Sequence, residues 1–84
     1  MTDEDLTEIA TRCDRATPGP WRSWVEGRDH MSGSSFIATA GDDIELVGAN
    51  PADQDFMAAA RQDIPRLVAE IGRLRAMLAS ERRD

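Results

Sequence analysis

The run Thr17-Pro18-Gly19-Pro20 constrains this chain more than any other feature. Each proline pushes the residue before it out of the α region and lacks the N–H that a helix interior needs, so no helix passes through the run. A second signal follows at Asn50-Pro51-Ala52-Asp53, with Asn50 at an N-cap, Pro51 at the first helical position and an acid in the first turn. The chain therefore reads as a short helix, a middle stretch with turns, and a helical C-terminal part.

Thr2, followed by Asp3, Glu4 and Asp5, starts the first helix: its hydroxyl caps free N–H groups, and the acids favour the positive end of the helix dipole. Leu6, Ile9, Ala10 and Cys13 recur at helical spacing, which predicts an amphipathic helix over 3–15 with Cys13 as a small buried apolar residue. Next, 21–25 reads as a strand with Trp21, Ser23 and Val25 on one face and Arg22 and Trp24 on the other. A polar loop over 27–35 separates it from strands at 36–40 and 44–48, which Gly41-Asp42-Asp43 joins as an antiparallel hairpin. A three-stranded meander of this size needs a helix over one face.

The helix from Pro51 to Gln62 is expected to bury Phe56, Met57, Ala59 and Ala60. Pro65 cannot donate to Arg61, so a break or kink is expected near 62–64, with Asp63 capping a second segment. In that segment Ile64, Leu67, Ile71, Leu74 and Leu78 alternate in steps of three and four, a heptad seam with Val68 beside it. The expected architecture is one α+β domain over 1–84: an N-terminal helix at 2–15, a small three-stranded antiparallel meander over 21–48, and a kinked C-terminal helix pair over 50–80. The seam either packs on the protein's own sheet or forms the interface of a homo-oligomer. A chain of 84 residues, which buries only about 60% of its unfolded surface on folding, favours the oligomer.

Charge and composition exclude several function classes. Sixteen acids against ten basic residues give a net charge of −6, which repels nucleic-acid polymers and anionic membranes. No stretch approaches the roughly 20 apolar residues of a membrane span, and the acidic start is unlike a signal peptide, so a cytoplasmic location is expected. Cys13 has no disulfide partner, and together with His30 it falls short of a zinc ligand set. Asp42, Asp43 and Glu45 read as a solvated turn and not a metal cluster, and Gly33 lacks the spacing of a phosphate loop. No metal or cofactor is expected. Asp29-His30 is a pair that could orient an imidazole, but in an extended loop the neighbours Asp29 and Met31 point elsewhere, so an enzyme is not expected.

Binding chemistry is better represented. Every basic residue is an arginine, which offers a planar fork to phosphates and carboxylates. Arg22 beside Trp24 makes a stacking and anion-binding pair, unless a helix or second subunit covers the indole. Arg28 and Arg61 would join Arg22 on phosphates, His30, Ser32, Ser34 and Ser35 would add hydrogen bonds, and Asn50 or Asp53 would read a base or ribose edge. That set suits a small anionic ligand such as a cyclic nucleotide second messenger. The other reading of an exposed Trp24 on an acidic surface is a module that binds and inhibits a host protein.

Two motifs carry a family resemblance. Ala16-Thr17-Pro18-Gly19-Pro20-Trp21, preceded by Leu6-Thr7-Glu8-Ile9, resembles the opening of the Ead-like group of small phage and prophage proteins. Asn50-Pro51-Ala52-Asp53-Gln54-Asp55-Phe56-Met57-Ala58-Ala59-Ala60-Arg61, followed by Asp63-Ile64-Pro65-Arg66-Leu67 and a leucine-rich helix, is similar to that group too. The middle of the chain carries no resemblance. The likeness implies an accessory phage product, not a virion or replication enzyme. By analogy with small acidic phage proteins it implies a counter-defence role, either as a sponge for nucleotide signals or as a binder of a host protein.

Overall fold

The computed structural model of the chain describes residues 1–29 and 33–82. Its elements are α1 (Asp3–Arg15), β1 (Arg22–Trp24), β2 (Phe36–Ala38), β3 (Ile44–Glu45) and α2 (Pro51–Glu81), an α+β arrangement as expected. Both helices start at the expected caps. The Thr2 hydroxyl accepts from the Asp5 N–H (3.1 Å) while the Asp5 carboxylate accepts from the Thr2 N–H (2.8 Å). Those bonds from Thr2 hold the Asp5 carboxyl below its ordinary range. Asn50 and Asp53 close the same reciprocal box on α2, at 2.7 and 3.4 Å.

The expected break near 62–64 is absent: α2 runs unbroken through Pro65. The cause is α1, which lies antiparallel along α2 and is tied to it on both sides of the proline. Near one end the Arg61 Nε donates to the Thr17 carbonyl (2.9 Å). At the other, Arg75 donates to the Asp3 carboxylate and the Met1 carbonyl. The two halves of α2 are thereby held in one continuous helix despite the hydrogen bond that Pro65 removes.

The expected buried stripe of α2 is also displaced. Phe56 is 74% exposed, Met57 and Ala59 are exposed and Ala60 is half-buried, while Gln54 and Ala58 are buried. The face on the sheet is Gln54, Ala58 and Gln62, one turn apart. What β1 presents to α2 is largely backbone: Gln54 Nε2 reaches the Trp24 and Phe36 carbonyls (both 2.9 Å), and Gln62 brackets Trp21, accepting from its N–H (2.7 Å) and donating to its carbonyl (3.2 Å). Polar amides with a small alanine between them suit that surface, and large apolar side chains do not.

The three strands form one antiparallel sheet in the order β1-β2-β3, with Ser23 opposite Ile37, Trp24 opposite Phe36, and Phe36 opposite Glu45. They are shorter than expected because flanking residues leave the ladder for side-chain partners. Trp21 pairs with Gln62, and the Val25 N–H goes to the Asp29 carboxylate (2.8 Å). Past β2, the Thr39 hydroxyl accepts from the Gly41 N–H and donates to the Asp42 carbonyl. Gly27 and Gly48 turn the chain at positive φ (81° and 88°), a region that disfavours other residues.

Among the described residues the buried apolar core is only Val25, Ile37 and Ala58. Leu6, Ile9, Ala10 and Cys13 of α1 are half-covered, so Cys13 is less enclosed than its spacing implies, and Trp21 is half-buried. The molecule measures 61 × 22 × 20 Å with a radius of gyration of 17.0 Å, against about 12 Å for a compact chain of this length.

Candidate functional site

Alternation along β1 separates two faces. Ser23, Val25 and the opposed Ile37 point toward α2, and Ile37 is the most buried apolar side chain described. Arg22, Trp24 and Phe36 stand on the other face, which no helix covers among the described residues. Both rings are half-buried, so Trp24 is less open than its place in the sequence suggested. Trp24 and Phe36, directly opposed, stack with ring centroids 6.5 Å apart and planes at 20°. The Arg22 guanidinium carbon lies 4.1 Å from the Trp24 ring centroid, a cation–π contact of the kind expected from the sequence. Arg22 is exposed and makes no ion pair among the described residues. The result is a partly exposed platform of two stacked rings with one cation over the indole.

The structure does not gather the other expected ligand residues at this platform. Arg28 grips Asp55 with two bonds (2.7 and 3.0 Å) and also pairs with Asp29 (3.0 Å), tying the 26–29 turn to α2. Its guanidinium is therefore satisfied, and its pKa is pushed further up, first by Asp55 and then by Asp29. In return Arg28 holds the Asp29 and Asp55 carboxyls below their ordinary range, helped at Asp55 by the Ser23 hydroxyl. Asn50 and Asp53 are committed to the α2 cap, and Arg61 is held against Thr17. His30 and Ser32 lie outside the described residues. Only Arg22 and Trp24 of the expected set meet.

A separate groove of about 320 Å³ runs between α1 and α2, lined by Ile9, Cys13, Ala16, Trp21, Met57, Ala60 and Ile64 with Arg12 and Arg61 at its side. Beyond it, the seam expected from the heptad spacing is largely open. Ile71 is half-buried, but Ile64, Leu67, Leu74 and Leu78 are 40%, 59%, 45% and 54% exposed. Among the described residues no helix is long and apolar enough to cross a membrane, and no group of three histidine, cysteine or acidic side chains is placed to hold a metal.

Sequence reasoning missed Gln54, Gln62 and Asp55. The glutamines left a usable signal: two amides eight residues apart with an alanine midway, on a helix following short strands, mark a face made for backbone groups. Asp55 left none, since its partner is 27 residues away across a loop. No family model, curated protein or solved structure matches this chain.

Proposed function

We propose that this chain is a non-catalytic binding module that docks a host protein on the outer face of its sheet, through Arg22, Trp24 and Phe36. In this reading it is a phage-type accessory protein acting in the cytoplasm against host defence. The observation that supports it is the shape of the platform. Stacked aromatic rings crossed by a guanidinium on an open sheet face match the side chains that dominate protein interfaces. A small ligand, by contrast, needs a concavity that buries most of its surface. The net charge of −6 favours a partner with a basic surface. The phage assignment rests on the likeness of the Ala16–Trp21 and Asn50–Arg61 stretches to Ead-like proteins.

The test is affinity capture followed by calorimetry with the purified partner. Trp24→Ala is expected to weaken binding by roughly thirty-fold or more, the effect of removing an interface anchor, and Arg22→Glu to weaken it further by charge. A partner held equally well by both variants would remove the platform from the reading. One observation favours the small-anion alternative: Arg22, stacked and without an acidic partner, presents its fork to a phosphate while Trp24 offers a ring to a base. That version predicts micromolar or tighter binding of a cyclic di- or trinucleotide or an ADP-ribose derivative, abolished by Trp24→Ala. A panel that gives no heat leaves the protein-docking reading alone.

A further inference from the structure

We propose that the open face of α2 pairs with the same face of a second copy, in parallel and in register, as a two-stranded coiled coil. Three observations carry this. The first is the size of the core, since among the described residues the buried apolar side chains are Val25, Ile37 and Ala58, which leaves the fold short of its main driving force. The second is the extended shape: the 31 residues of α2 span about 46 Å, and the sheet meets only their first half. Along the second half α1 covers one flank, while Leu67, Leu74, Met77 and Leu78 remain exposed.

The third observation is the pattern of the seam, which fixes both occupant and direction. With Ile64, Ile71 and Leu78 at a positions and Leu67 and Leu74 at d positions, the sequence has the β-branched a and leucine d arrangement that favours parallel pairs. The flanking positions are mixed: g holds Asp63, Glu70 and Met77, and e holds Arg61, Val68, Arg75 and Arg82. In a parallel pair each g position faces the partner's e position five residues on. Glu70, which already holds Arg73 of its own helix, thus faces the e position of Arg75, which already holds Asp3 of its own chain. The direction therefore rests on the a and d pattern and on the like charges that an antiparallel pair would oppose. An antiparallel pair would set acid against acid along one flank and arginine against arginine along the other. A second copy would thus cover the exposed leucines of this face, and the α1–α2 groove beside Met57 and Ile64 continues the same apolar surface.

The experiment uses the full chain. Light scattering on the purified protein is expected to give twice the 9.3 kDa chain mass, and Leu67→Asp with Leu74→Asp is expected to return it to a monomer. Because that double variant also removes two apolar side chains from the fold, orientation is tested in a background that keeps both leucines. In Cys13→Ser combined with Leu78→Cys, the introduced thiols meet across a parallel in-register pair and oxidise to a covalent dimer without reshaping the backbone. An antiparallel pair holds them several turns apart. A monomeric wild-type protein, a trimer or larger assembly, or a dimer whose thiols do not cross-link each overturns the proposal. None of these results bears on the aromatic platform, which lies on a different face.

Discussion

Gln54 is buried, and its Nε2 lies 2.9 Å from three acceptors, the Ser23 hydroxyl and the Trp24 and Phe36 carbonyls. Replacing it with leucine keeps the volume but strips those carbonyls of a donor, at about 1–3 kcal/mol for each buried group left unpaired. We expect Gln54→Leu to lower the urea midpoint accordingly. Gln54→Glu should be worse at neutral pH, where a carboxylate faces carbonyl oxygens. Its carboxyl pKa is then raised on folding, so part of the loss returns as pH falls and a proton restores one donor. Asp55 has the opposite sign. Arg28 and Ser23 hold it below its ordinary 3.8, so its contribution is complete above that value and lost as pH falls through the lower, folded one. Asp55→Asn should therefore melt below wild type at pH 7 and converge with it in strong acid, as followed by circular dichroism. At this scale the Arg22–Trp24 contact was legible because strand alternation puts residues two apart on one face. The Arg28–Asp55 pair was not, because it depends on where a loop returns to α2.

The two helices were legible at their starts, where Thr2 and Asn50 act within three residues of the groups they cap. Their faces and interruptions were less so. Apolar spacing assigned Phe56, Met57 and Ala59 to the interior, yet the adjoining surface is backbone that only amides satisfy. Pro65 read as a break because proline's local cost was weighed without α1, which spans it. Because α2 already continues through Pro65, Pro65→Ala restores a backbone donor and should stabilise the protein by about 1–3 kcal/mol, less the small gain proline gives by stiffening the unfolded chain. A higher denaturation midpoint with unchanged helix content is the expected result. A loss of stability would mean that the proline ring's packing outweighs the missing bond.

At the scale of the whole molecule, the 61 Å long axis and the small core describe one problem, a chain whose folded form covers too little of its own apolar surface. If a second copy completes it, folding and association are linked, and the melting temperature must rise with protein concentration. Scanning calorimetry over a wide range of dilution reads this directly, and a midpoint indifferent to concentration would separate fold from assembly. The α+β class followed from the sequence alone, but the balance between helix and sheet packing did not, since no periodicity reports how much surface a distant element will cover. The amide of Gln62 also has a consequence for behaviour in a crowded cell. It occupies the Trp21 N–H and carbonyl at the start of β1, groups that an added strand would need, and on the far side β3 is two residues long and carries Glu45. Both margins are thus short of free ladder groups, which disfavours growth by strand addition even with the half-buried Trp24 and Phe36 rings on the uncovered face.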